Sequence, residues 1–111
     1  MTLGTVPVTE AQFQRQIEEL ASRLGWQWVH FERMGNDQGR WRTPARGPLG
    51  RGFPDLFLVK GSRALFVECK AQRGVLTDAQ RQVRLTLEQL HPYYVWRPSD
   101  WAQIMEVLAN A

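Results

Sequence analysis

Apolar residues recur at three- and four-residue intervals from 9 to 24, with Phe13, Ile17, Leu20 and Leu24 on one stripe. That spacing predicts an amphipathic helix, capped by Thr9 and stopped at Gly25. Glu10 lies on the flank of the stripe, whereas Glu18 and Glu19 are expected to point away. The stretch 26–31 (WQWVHF) has the aromatic and β-branched bias of a strand. Two further apolar runs, 53–59 and 64–67, predict a pair of strands joined by Gly61-Ser62, which suits a two-residue hairpin turn. A second helix is expected from Thr77, with Ala79, Val83, Leu87 and Leu90 on one face and an end near His91-Pro92. A strand over 93–96 and a last helix capped by Ser99, carrying Trp101, Ile104, Met105 and Leu108, complete the order α-β-β-β-α-β-α.

The hairpin places two carboxylates together. If Lys60 pairs with Arg63, antiparallel register puts Asp55 directly opposite Glu68, where like charges on one face of a sheet repel. Both acids border strongly apolar runs, and burying carboxylates side by side is costly. A divalent cation between them would turn repulsion into coordination, and carboxylate oxygens suit Mg²⁺. Lys70 falls on the same face as Glu68, because strand side chains repeat every second residue. Cys69 faces the other way, so its thiol is read as packed apolar material. A longer turn would slip the register and leave both acids in water at strand ends. The apolar surroundings and Pro54, which opens the strand without needing a ladder hydrogen bond, weigh against that.

Composition changes the picture mainly through charge. The 111 residues amount to one domain, with 43% hydrophobic residues and five Trp, as a globular protein requires. The single cysteine excludes an internal disulfide framework and fits a reducing compartment. No stretch reads as a signal peptide or approaches the roughly 20 apolar residues of a membrane span, so a cytoplasmic protein is expected. Net charge is only +3, yet Arg33, Arg40, Arg42, Arg46 and Arg51 face one acid, Asp37, across 33–51. That segment carries +4 and the remainder −1. With its Gly and Pro residues it is expected to be a long flexible loop over about 34–51, either a solvated linker or a phosphate-contacting arm. Trp41, among the arginines, is placed to stack on an unpaired base. Trp26, Trp28, Trp96 and Trp101 are read as core.

Other chemistries find little support. His30 and His91 are isolated, without zinc-site spacing; His30, at a strand end near the basic segment, is expected to be packed or exposed, with a phosphate contact as the alternative. The stretch GPLGRG lacks the lysine of a phosphate-binding P-loop, and there is no GxSxG elbow. Two residues keep alternative roles. Glu10 also suits a first-turn acid favoured by the helix dipole, and Thr77-x-x-Gln80 is a capping box in which Gln80 bonds the Thr77 backbone.

Taken together, Gly52-Phe53-Pro54-Asp55-Leu56, Glu68-Cys69-Lys70 and Leu76-Thr77-Asp78-Ala79-Gln80 resemble the PD-(D/E)xK nuclease superfamily, in its virus-type replication-repair nuclease (VRR-NUC) branch. Glu10 and Trp96-Arg97-Pro98 also match, so the resemblance covers about 9–108. It implies a restriction-endonuclease-like mixed β-sheet flanked by helices. It implies Asp55 and Glu68 as metal ligands with the backbone carbonyl of Cys69, and Glu10 directly or through water. Lys70 would orient or deprotonate the attacking water, and Gln80 would hold Lys70 or the water. The implied cofactor is Mg²⁺, with Mn²⁺ able to substitute and no organic cofactor. Arg97 joins the basic residues of 33–51 as an expected DNA contact. Small members of the branch resemble Holliday-junction resolvases and act as homodimers. The connection over 35–51 is longer and richer in Arg than that pattern carries.

The expected function is therefore a Mg²⁺-dependent endonuclease cutting branched DNA. A non-catalytic DNA-binding module of the same fold is the alternative, disfavoured because a pure binder has no use for acids facing a polyanion. Sequence-specific restriction-type cleavage would share the chemistry but needs base-reading elements for which the chain has little room.

Overall fold

The structure is a computed structural model; it describes residues 2–3, 6–31, 34–35, 41–42 and 47–110, with side chains over 8–31 and 47–110. In chain order the elements are β1 (Thr2–Leu3), β2 (Val6–Pro7), α1 (Glu10–Arg23), β3 (Gln27–His30), β4 (Met34–Gly35) and β5 (Trp41–Arg42). There follow β6 (Leu56–Lys60), β7 (Arg63–Cys69), α2 (Asp78–Leu87), β8 (Tyr93–Trp96) and α3 (Trp101–Ala109). Four strands form a mixed sheet in the order β3-β6-β7-β8, with β8 parallel to β7 and the other pairs antiparallel. The parallel pair is joined by α2, as a crossover connection requires. Two minimal ladders, β1 with β2 and β4 with β5, lie outside this sheet. Setting these aside, the order is the expected α-β-β-β-α-β-α.

Helices cover both faces. On one, Phe13, Ile17 and Ala21 of α1 and Ile104 and Leu108 of α3 pack on Leu56, Leu58, Leu65, Val67 and Cys69. On the other, Val83 and Leu87 of α2 pack on Phe66 and Tyr93, flanked by Phe53 and Phe57. The parity of β7 explains its sequence: Leu65, Val67 and Cys69 face α1 and α3, Phe66 faces α2, and a strand buried on both faces reads as one apolar run. Trp26 joins the first core and donates its indole N–H to the Leu108 carbonyl at 2.9 Å, tying α3 to the end of α1.

The hairpin register is the one expected. Lys60 opposes Arg63, and the ladder runs through Leu56 opposite Val67. Gly61 takes a positive φ of 59°, which the first turn position of a two-residue hairpin needs. Thr9 caps α1, accepting from the Gln12 N–H at 3.1 Å. Thr77 caps α2 in the same way through Gln80.

Several expectations fail. Leu90 is 68% exposed, because α2 ends at Leu87 and the following turn carries Leu90 off its buried face. Met105 is 48% exposed, one position off the Ile104–Leu108 stripe of α3. Ser99 is not the cap of α3. It sits within the 3₁₀ turn Pro98–Asp100 that precedes the helix, and its hydroxyl accepts from Gln72. Trp28 is not core: it lies on the edge strand β3, exposed, with its indole N–H on the Ser22 hydroxyl at 2.8 Å. The segment 34–51 holds the β4–β5 ladder and the start of the 3₁₀ turn Gly50–Gly52 rather than loop alone; half of it, 36–40 and 43–46, lies outside the described residues, and so does the expectation of its flexibility there.

Gly52 sits where the chain passes against the first turn of α2. A Cβ at this position would run into the Ala79 carbonyl, which is backbone and cannot swing aside. Gly52→Ala is therefore expected to destabilise the fold by about 2 kcal/mol, as overpacking does. Urea denaturation measures it, and a loss below about 0.5 kcal/mol, the scale of an ordinary surface substitution, would contradict this packing.

Candidate metal centre

Asp55 sits where the β6–β7 ladder ends, and both of its polar ends are engaged by neighbours. Its backbone carbonyl accepts from the Phe31 N–H at 3.0 Å, extending the β3–β6 pairing by one residue. Its carboxylate Oδ2 accepts from the Cys69 N–H at 2.9 Å, closing the β6–β7 side. One step beyond Leu56 opposite Val67, the register carries Asp55 to Glu68. Glu68 is 1% exposed, a carboxylate set among core side chains.

Glu10, the first residue of α1, completes a group of three. One carboxylate oxygen from each of Glu10, Asp55 and Glu68 lies within 4.8 Å of the others. Both α1 and α2 begin at this end of the sheet, so the positive ends of two helix dipoles face the acids. The three acids line a cleft of about 820 Å³ together with Lys70, Gln80 and His30.

The two oxygens of Glu68 have different surroundings. Oε2 accepts from Gln80 Nε2 at 3.0 Å and lies 3.6 Å from Lys70 Nζ. Oε1 is buried and has no hydrogen-bond partner among the described residues. A buried acceptor left unsatisfied is costly, and Asp55 beside it is another acceptor unless the two share a proton. Burial first, and the Asp55 charge next, push the Glu68 carboxyl up to about 9, against the pull of Lys70. Either a proton or a cation is needed here. The set is all-oxygen and carboxylate-rich, which fits a hard divalent ion such as Mg²⁺.

Gln80 does not choose between its two expected roles. Its Oε1 accepts from the Thr77 N–H at 2.9 Å, completing the capping box, while its Nε2 donates to Glu68. The start of α2 is thereby bonded to the acid. Cys69 is fully buried in the α1/α3 core, and burial pushes its thiol well up, with the Asp55 and Glu68 charges adding to the effect. Its sulfur is an inert packing group.

One expectation about α1 is corrected. Glu18 does not point away; it lines the cleft, with its Oε2 accepting from Gln14 Nε2 at 3.0 Å and lying 3.6 Å from His30 Nδ1. Glu10, Gln14 and Glu18 are spaced four apart, and each such step turns the helix by only about 40°. That spacing was the signal available for Gln14 and Glu18. His30, expected to be packed or exposed, enters the cleft because β3 runs beside Asp55.

The expected DNA contacts are placed unevenly. Arg33, Arg40 and Arg46 lie outside the described residues, and Trp41 and Arg42 are described only as strand backbone. Arg51 is exposed on the 3₁₀ turn before Asp55. Arg97 is half-buried and turned to the Gly74 carbonyl, accepted there at 3.2 Å from Nε and 2.7 Å from Nη2. No helix among the described residues is long and apolar enough to cross a membrane.

Comparison of the chain with protein-family models, with curated proteins and with solved structures returns no match.

The raised Glu68 group gives the metal-free protein a signed pH dependence. Between its ordinary value of 4.5 and about 9 the native state holds a proton that the unfolded chain releases. The associated stability is present below 4.5 and is lost as pH rises toward 9. In EDTA, the melting midpoint is expected to fall by about 5 °C or more across that range. Glu68→Gln, which keeps the shape without the charge, should flatten the slope, and Mg²⁺ or Mn²⁺ should raise the midpoint at alkaline pH in the wild type alone. Equal slopes in both proteins would remove Glu68 as the source.

Proposed function

We propose that the protein is a divalent-metal-dependent endonuclease that hydrolyses phosphodiester bonds in branched DNA, built on a restriction-endonuclease-like sheet. One observation carries the reading: a buried glutamate that shares a 4.8 Å cluster with two further carboxylates, has a buried lysine against its Oε2, and has an Oε1 without a hydrogen-bond partner among the described residues. Asp55, Glu68 and Glu10, with the Cys69 carbonyl, would hold Mg²⁺, or Mn²⁺ in its place. Such an ion supplies a hydroxide-like nucleophile near neutral pH and offsets charge on the phosphoryl oxygens.

The chain's own residues divide the remaining work. Asp55 is fixed by the Cys69 N–H, so the orientation of its carboxylate is set before any ion arrives. Gln80 holds Glu68 Oε2 on one side and Lys70 approaches it on the other. Oε1, engaged by neither, would be the oxygen free to coordinate. Lys70, only 8% exposed, keeps its ammonium at the cleft wall. There it orients the attacking water and stabilises negative charge as it develops. The basic segment 33–51 supplies the attraction for a polyanion that the acidic cleft lacks, by neutralising phosphates in a salt-dependent way. A homodimer acting on a branch point, and a reducing, cytoplasmic setting, belong to the same proposal.

The test is cleavage of a four-way junction, a flap and a linear duplex with Mg²⁺, with Mn²⁺ and with EDTA. Cutting of branched substrates only in the presence of metal is expected. Asp55→Asn and Glu68→Gln should each slow it by about a hundredfold or more, since the ion's share of transition-state stabilisation is several kcal/mol. DNA binding should persist in both variants. Tight binding with no cleavage under any metal would favour the non-catalytic module instead, and wild-type turnover in either variant would remove that residue as a ligand.

A further inference from the structure

The segment 71–76 connects Lys70, which directly follows β7, to Thr77 and Gln80, at the start of α2. Lys70 and Gln80 both engage the same oxygen of Glu68, from opposite ends of this connection. Six residues of loop with no regular structure would let those two side chains drift relative to each other. The structure shows what prevents it.

Arg97, immediately after β8, directs Nε and Nη2 at the Gly74 carbonyl, at 3.2 and 2.7 Å. Two residues earlier, Gln72 makes a reciprocal pair with Ser99: its Nε2 donates to the Ser99 hydroxyl at 2.9 Å, and the Ser99 N–H donates to its Oε1 at 3.0 Å. Arg97 is itself steadied, because its N–H donates to Asp100 Oδ2 at 2.8 Å. Gly74 turns back on Ala71 through a 2.8 Å hydrogen bond, and a Cβ on it would touch the Cβ of Lys70 at 3.4 Å. The loop that Arg97 grips therefore passes close to the base of the Lys70 side chain. At the loop's start, the Lys70 N–H donates to the Trp96 carbonyl, the residue before Arg97.

We infer that Arg97 is a positioning residue: its guanidinium clasps the Gly74 carbonyl and so sets Lys70 and Gln80 at their distances from Glu68. Arg97 does not line the cleft, and two of its donors already share one carbonyl in a half-buried setting. The role as a DNA contact expected from its charge is thereby replaced by an internal one. A forked, planar group suits two donors on one oxygen, which a lysine ammonium reproduces only as a point charge. This inference rests on the nuclease reading for what Lys70 and Gln80 do, and stands on the hydrogen bonds alone for the clasp.

The experiment compares wild type with Arg97→Lys, Arg97→Met and Gln72→Ala. Turnover is measured on whichever substrate the wild type cleaves, affinity for the same DNA with Ca²⁺ in place of Mg²⁺, and amide exchange over 71–81. Arg97→Met should lower kcat by about tenfold to a hundredfold, the scale of a small misplacement of reacting groups, and Arg97→Lys by less. KM, DNA affinity and its salt slope should stay within about twofold, while amides of Gly74 and Gln80 exchange about tenfold faster. Gln72→Ala, at an exposed position, should show the same pattern in weaker form and covers the case in which Arg97→Met fails to fold. Weakened binding with a salt slope lower by about one would return Arg97 to the phosphate-contact role and overturn the clasp. Unchanged exchange over 71–81 would overturn it as well. A wild type that cuts nothing sinks the nuclease reading, and the exchange data then decide the clasp by themselves.

Discussion

A carboxylate that is 1% exposed, placed one strand across from another carboxylate, is the constraint from which the rest of the molecule follows. Low dielectric strengthens the repulsion between Glu68 and Asp55 and also strengthens whatever relieves it. Lys70 and Gln80 satisfy one oxygen of Glu68, and neither reaches the other. A protein gains no stability from leaving Oε1 unsatisfied, and a hydrophobic side chain would pack there at less cost. Sites where burial and like charge are combined in this way are more often functional than structural.

The scaffold around that site consists of restraints that converge from all sides. A two-residue turn at Gly61-Ser62 sets the register that brings Asp55 to Glu68. Two capping boxes start α1 and α2 at the same end of the sheet, delivering Glu10 and Gln80. Gly52 allows the chain before Asp55 to lie on the α2 turn, so Asp55 and Gln80 are positioned by one contact. The junction after β8 grips the loop after Lys70. Packing is segregated: apolar cores on both faces hold the strands, while polar bonds at one end hold the chemistry.

The parts legible in the sequence are those governed by short-range periodicity. The hairpin register places Asp55 opposite Glu68, and parity then puts Lys70 on the same face and Cys69 on the other, because a strand allows only two directions. Helix α1 was legible from its stripe and its cap. Less was legible where a side chain's partner is remote. Arg97 reads as a surface charge until the fold brings Gly74 to it, 23 residues away in the chain. The apolar stripe of α1 marks its buried face and says nothing of Glu18, whose place is set by a cleft on the flank of that stripe. Residue type alone puts Trp28 in the core, whereas its place on the edge strand β3 leaves it in water. For Leu90 the helical spacing runs past the end of α2, and Met105 lies one position off the buried stripe of α3. Gln80 looked like a choice between capping and catalysis, yet an amide has an acceptor and a donor and uses each once.

The central claim, that Glu10, Asp55 and Glu68 share one divalent ion, is tested most directly by anomalous scattering from crystals grown with Mn²⁺. A peak is expected between the Asp55 and Glu68 carboxylates, with Glu68 Oε1 among its ligands, and it should vanish in Glu68→Gln. Ordered Asp55 and Glu68 side chains with no anomalous density between them, in crystals saturated with Mn²⁺, would contradict the account.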